Sequence, residues 1–199
     1  MIIYVETNFL IGIAKGQDTQ GQQLLQNLPL SLHLVVPSIC FVESLITLDQ
    51  GEKYNLDFLH KLDIQINESE RDNSVKSRLL LYQLEQSRTC FLERNNEVKE
   101  RFYITFNQLI EKAKMITFTP EIFQESFGRS ILEKHLMDKL ILECIIHHAR
   151  LHPHEIKCFL SSNSHEFRKR EVSEVLQDHN IQYFHKTQNF LGWLNSQPN

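Results

Sequence analysis

The sequence predicts an α/β fold, with a central, mostly parallel sheet flanked by helices and a long helical insertion, and three observations carry that prediction. Short aliphatic runs rich in β-branched residues recur towards both ends of the chain. Segments with helical periodicity alternate with them. Between the two groups, Glu68 to Met115 contains neither proline nor glycine. Strands that alternate with helices need crossover connections, which produce a parallel sheet covered on both faces.

In chain order, Ile2 to Val5 reads as a buried strand ending at Glu6, and Thr7 and Asn8 are capping types ahead of the apolar FLIGIA. Gln20 to Leu28 reads as a short helix and His33 to Val36 as a second strand. Pro37 and Ser38 open a helix on which Ile39, Val42, Leu45 and Ile46 form an apolar stripe around Glu43. Apolar residues then recur at helical steps (Val75, Leu79, Tyr82, later Phe102, Phe106, Leu109), which predicts a helical hairpin or two consecutive helices with a break near Asn95 and Asn96. The insertion is placed at about 52–115, its charged residues forming a solvated face.

Ile116 to Thr119 reads as a third strand stopped by Pro120, and Ile131 to Ala149 as an amphipathic helix with Asp138, Leu142 and Ile145 on one side. Lys157 to Leu160 is a fourth strand, Phe167 to Asp178 a helix, Ile181 to Phe184 a last strand and Thr187 to Asn195 a closing helix. In that helix Phe190, Leu191, Trp193 and Leu194 read as core anchors.

A chain of 199 residues with 41% hydrophobic content suits a single domain over 1–199. The opening MIIYVETNFL lacks the basic start of a signal peptide, and no apolar run reaches the length of a membrane span. The expectation is a soluble, cytoplasmic protein. Cys40, Cys90, Cys144 and Cys158 stand singly and read as reduced core thiols. A net charge of −4 argues against coating of nucleic acid by bulk electrostatics, though not against local contact at a site.

Four distant segments each set an acid or amide at the edge of an apolar run: Glu6 in IIYVETNFL, Glu43 in VVPSICFVESL, Asp138 in HLMDKLILECII and Asn163 in KCFLSSNSHEF. Acids beside a core are costly to hold unless something positive gathers them, so these residues are candidates for one divalent-cation site. Hard oxygen donors from separate elements suit Mg²⁺ or Mn²⁺ and the hydrolysis of a phosphodiester.

These segments resemble those of the PIN-domain nucleases, the family that includes the VapC-like toxins. VETN stands where the family has Asp-Thr-Asn after its first strand, with Glu6 in place of the aspartate; Pro37 and Glu43 match the second motif, Asp138 in DKLILECII the third, and SSNSHEF, Ser161 to Phe167, the last. The resemblance implies a three-layer PIN-like fold and a metal-dependent endoribonuclease of toxin, RNA-processing or defence type. Glu6, Glu43, Asp138 and Asn163 would be its catalytic and metal-binding residues, with Glu166 supplying the charge that Asn163 lacks. Thr7, Asn8 and Ser161 would position water or phosphate, and Arg168, Lys169 and Arg170 would grip the phosphate backbone beside the cleft. The implied partners are nucleic acid, chiefly RNA, an antitoxin or other protein, and a second copy in a homodimer.

Glu6 and Asn163 depart from the family pattern. That leaves an alternative open, a degenerate PIN-like module that binds nucleic acid or protein without cutting, and a third reading makes the central helices an adaptor or dimerisation arm. His147, His148, His152 and His154 invite a zinc reading, but His147 lies roughly 13 Å along the helix from Asp138 and the group reads better as helix capping. Glu143, about 140° around the helix from Asp138, reads as exposed or paired.

Overall fold

A computed structural model of the chain describes residues 1–197. The last two residues of the expected 1–199 domain lie outside the described ones. Five strands, β1 (Ile2–Val5), β2 (His33–Pro37), β3 (Lys114–Ile116), β4 (Lys157–Leu160) and β5 (Ile181–Phe184), form one sheet in the order β3-β2-β1-β4-β5. Every pairing is parallel. The helices are α1 (Thr7–Ala14), α2 (Thr19–Gln26), α3 (Ser38–Arg71), α4 (Val75–Lys112), α5 (Pro120–Gly128), α6 (Leu136–Arg150), α7 (Ser164–Phe167), α8 (Arg170–Asp178) and α9 (Thr187–Asn195). The predicted α/β class, parallel sheet and helical insertion are what the molecule has.

The sheet places the site. Chain order runs outward from β1 to β3 on one side and to β5 on the other, so the direction of winding reverses between β1 and β4. In open α/β sheets that reversal leaves a crevice outside the carboxyl ends of the two strands. Val5 pairs in register with Leu160, so the next residues, Glu6 and Ser161, emerge side by side. All four residues of β1 and all four of β4 are buried, as expected for central strands covered on both faces.

Several boundaries differ from expectation. The helix after Pro37 does not end before the insertion; α3 runs unbroken for 34 residues and turns into α4 at Asp72–Ser74. The turn is made by short polar side chains: Asp72 accepts from the Ser74 amide, and Ser74 caps α4 by accepting from the Ser77 amide. Asn95 and Asn96 lie inside α4, not at a break. Only the C-terminal part of α4 joins the core, through Phe102 and Leu109, while Arg101 donates to the Ala14 carbonyl and Lys112 to those of Leu25 and Gln26. The remainder forms a hairpin arm with α3, closed by Phe58 against Phe91.

The third strand sits two to three residues earlier than predicted, at Lys114–Ile116. Pro120 does not simply stop a strand: it is in the first turn of α5, capped by Thr119, a helix the sequence reading omitted. Helix α6 starts at Leu136, because Leu132 takes a left-handed backbone, and the segment expected as one helix from Phe167 is divided into α7 and α8. The apolar stripe predicted around Glu43 is largely exposed at Val42, Leu45 and Ile46, since Cys40, Phe41 and Ser44 form the inward face of α3. Cys90 is exposed; the other three cysteines are buried thiols. Phe190 is buried, with Leu191, Trp193 and Leu194 packed against the core as predicted.

Candidate active site

Glu6 leaves the end of β1 and caps α1, its Oε2 accepting from the Asn8 amide at 2.8 Å. Its Oε1 accepts from the Ser161 hydroxyl, also at 2.8 Å, across the switch point. The side chain is buried, and burial pushes its pKa up to about 7, the two hydrogen bonds opposing and the negative fields of Glu43 and Asp138 reinforcing the rise.

Glu43 comes from the second turn of α3 and accepts a short hydrogen bond from the Thr7 hydroxyl, which also lies 3.5 Å from the Cys40 carbonyl oxygen. Asp138 comes from the first turn of α6, and its Oδ1 accepts from the Asn163 side-chain amide at 3.0 Å. Both carboxyls are half-buried and both have raised pKa values, chiefly from burial; Asp138 adds to the rise at Glu43, and Glu166 to that at Asp138. Three elements that start at the same end of the sheet thus bring Glu6, Glu43 and Asp138 into one another's fields. Asn163 joins them through Asp138, and its own amide nitrogen is held by Ser161 at 3.1 Å.

Glu166 is differently placed. It is buried on α7 and bonded by Lys169, His165 at 2.6 Å and His135 at 3.2 Å, so Lys169 first and then the two imidazoles hold its pKa below the usual carboxylate range. Among the cations expected to grip phosphate, Lys169 is therefore engaged with Glu166, and Arg170 pairs with Glu174 at the surface. Arg168 is exposed and has no ion pair among the described residues.

Among the described residues, no group of three His, Cys, Asp or Glu side chains stands close enough to hold a metal ion. The hydrogen bonds give the reason: each carboxylate is turned onto a protein donor, Glu6 onto Ser161 and Asn8, Glu43 onto Thr7, Asp138 onto Asn163. In kind, the donors fit a hard divalent cation, being carboxylate oxygens whose proton affinity is raised by burial and mutual repulsion. Turning Glu43 and Asp138 from neutral hydroxyl and amide partners is the rearrangement that such a cation would require.

Comparison with known families decides the assignment. The family model described as the PIN domain matches residues 3–167, which spans β1 to α7 and all four acidic or amide positions. The chain belongs to the PIN-domain family. PIN domains are nucleases as a group, and they typically use divalent metals. No curated protein and no solved structure matches this PIN domain significantly. No helix in the described residues is long and apolar enough to cross a membrane.

Two polar pairs elsewhere refine the sequence reading. Glu143, on the same helix as Asp138, is fully buried and paired with Arg129 at 2.5 Å, tying the segment before α6 to the helix. Of the two states predicted for it, it takes the paired one. His152 accepts the expected capping role with its ring against the His148 carbonyl at 2.9 Å, whereas His148 is buried, 3.0 Å from the Tyr4 hydroxyl, and burial depresses its pKa to about 4. Sequence reasoning missed Arg129, whose signal was a lone cation ahead of a helix with an acid on its apolar side.

Proposed function

We propose that this PIN domain is a metal-dependent endoribonuclease that hydrolyses internal phosphodiester bonds, with Glu6, Glu43 and Asp138 as the residues that hold Mg²⁺ or Mn²⁺. The observation that carries this reading is the trio of carboxylates, each with raised proton affinity, each bonded only to neutral donors, at the switch point of a parallel sheet. Such a cluster is stabilised by a cation from outside the chain.

A bound divalent ion supplies a water of lowered pKa and stabilises charge on the phosphate oxygens. The chain's residues do the positioning. Ser161 and the Asn8 amide fix the orientation of Glu6, Thr7 fixes Glu43, and Asn163 orients Asp138. Glu166 keeps Lys169 beside Asp138, and Arg168, exposed and without an ion pair among the described residues, would meet the phosphate backbone. The reading covers toxin, RNA-processing and defence settings in the cytoplasm, the first of which brings a neutralising protein partner.

One observation favours a second reading, a module that binds RNA without cutting it: the carboxylates are already satisfied by protein donors, and Asn163 brings an amide where the family's last motif has an acid. Cleavage of labelled RNA and DNA oligonucleotides with Mn²⁺, Mg²⁺ or EDTA, comparing the native chain with Asp138→Asn, separates the two. Metal-dependent cutting of RNA that the substitution abolishes supports the nuclease. Equal inertness of two folded proteins overturns it in favour of the binding module.

A further inference from the structure

Beside the carboxylates lies a cleft of about 370 Å³ that the proposed chemistry does not use. Its inner end is shared with the site, since Asn8 and Ser161, which hold Glu6, also line it. Its apolar lining includes Phe9, Gly12 and the last residue of β4, Leu160. The polar lining is of another character: it includes the amide residues Asn8, Gln17, Gln20 and Gln188 and the cation Lys186, of which Gln17, Lys186 and Gln188 are exposed to solvent. Among the described residues, none of these amides and no atom of the Lys186 ammonium is hydrogen-bonded within the protein.

This lining is held in place by a residue that is fully occupied. Asp18 accepts from the Gly21 amide at 2.8 Å and from the Thr187 hydroxyl at 2.5 Å, so the α1–α2 connection is tied to the start of α9. Gly21 is required there, because a Cβ would stand 2.6 Å from the Asp18 carboxylate. Asp18 therefore acts as a strut, and the unused polar groups are the four amides and Lys186. Apolar lining with a few solvent-facing polar groups left free by the protein is the make-up of a small-ligand site, and the volume falls near the lower end of the roughly 300–1,000 Å³ such sites span.

We propose that this cleft receives one unpaired nucleotide adjoining the phosphate that meets the carboxylates, with the amides reading the base edge and Lys186 holding the next phosphate. Asn and Gln side chains offer a donor and an acceptor together, which is what a base edge requires. A base inside a duplex is stacked and paired and cannot enter, so the geometry selects single-stranded nucleic acid. The inference rests on the nuclease reading for its register but not for its binding chemistry.

The test is fluorescence anisotropy on the full chain with labelled single-stranded homopolymer octamers of RNA and DNA and a matched duplex. It is run on the native chain in EDTA and on Asp138→Asn with Mn²⁺. Single strands are expected to bind more tightly than the duplex, with one base preferred. Gln20→Ala combined with Gln188→Ala should weaken the preferred octamer by about fivefold or more and flatten the preference, whereas Lys186→Ala should weaken all octamers alike. Thermal unfolding of each variant, expected to match the native chain, excludes loss of fold as the cause. Equal affinity for the duplex, an unchanged base preference in the amide variant, or no binding of any single strand in either condition overturns the proposal. Base-selective binding without cleavage under any metal overturns the nuclease and leaves the cleft standing; cleavage whose base preference survives the amide substitutions does the reverse.

Discussion

Four carboxylates surround the carboxyl ends of β1 and β4, and they are of two kinds. Glu6, Glu43 and Asp138 meet a backbone amide, hydroxyls and a side-chain amide, all neutral, and their pKa values are raised. Glu166 meets Lys169, His165 and His135, and its pKa is lowered. Both Glu6 and Glu166 have little exposed area, but Glu6 lies deep at the end of β1 while Glu166 sits near the surface under the exposed His165 and part-exposed Lys169, so weaker desolvation and cationic partners together reverse the sign at Glu166. The difference teaches that one group is internally neutralised while the other holds an excess of negative charge that a proton or a cation from outside the chain relieves.

The sharpest way to break that comparison is to remove one member of the first kind. Glu43→Gln and Asp138→Asn should each lower Mn²⁺-dependent RNA cleavage by at least about 10³-fold, the loss expected when several kcal/mol of metal-assisted stabilisation goes. Single-turnover cleavage at saturating enzyme measures it, and retention of native rates by either variant removes that residue from the site.

Next in size is the pH dependence of stability. Because the folded-state pKa of Glu6 lies above its ordinary value of 4.5, at about 7, the folded chain binds the proton more tightly than the unfolded one. Its contribution to stability is fully present below about pH 4.5 and is lost as pH rises through about 7, to the extent of up to about 3 kcal/mol in metal-free protein. His148, whose depressed pKa of about 4 acts in the opposite sense over this range, is common to both proteins, so the decline is read as the difference between the native chain and Glu6→Gln in urea unfolding in EDTA at pH 4.5, 6 and 7.5. A difference that stays constant or grows in favour of the native chain as pH rises would show that Glu6 is not the protonated group.

Asn163→Asp sharpens the comparison from the other side. It replaces the donor on Asp138 with a like charge, so the metal-free variant should be less stable by about 1–2 kcal/mol, while Mn²⁺ should raise its Tm more than it raises that of the native protein. A Tm that responds to Mn²⁺ equally in both proteins would separate Asn163 from the ion. The smallest effect is expected at Glu166→Gln. With His165 and Lys169 solvent-exposed or nearly so, the loss should be about 1 kcal/mol, and the Mn²⁺ response of the remaining carboxylates should persist. Disappearance of that response would move Glu166 into the first group.

The alternation of strand and helix was legible because central parallel strands must be apolar on both faces; β1 and β4 fall on the residues that pattern marks, and the edge strand β5, with Gln182 exposed, falls where its shorter apolar run predicted it. Turns set by capping were less so. Asn95 and Asn96 look like a break, yet nothing on the exposed arm opposes helix there, whereas Asp72 and Ser74 hydrogen-bond to the backbone and end one helix and start the next. The strand before Pro120 was displaced because the Phe118 amide donates to the Ser38 side chain rather than to a neighbouring strand, a contact 80 residues distant in sequence. At the site, the residue types and order named the acids and the amide, but not their partners. That Glu166 is saturated by Lys169 while Glu43 rests on a hydroxyl depends on which helices begin at one end of the sheet.

Helix α3 carries Glu43 in its second turn and reaches the arm's turn at Arg71 without interruption. At 1.5 Å per residue, 28 residues set the tip about 42 Å from the carboxylate. The two ends belong to one rod, so any macromolecule gripped at the tip is held at a distance written into the chain, and the arm works as a ruler whose zero mark is the site itself.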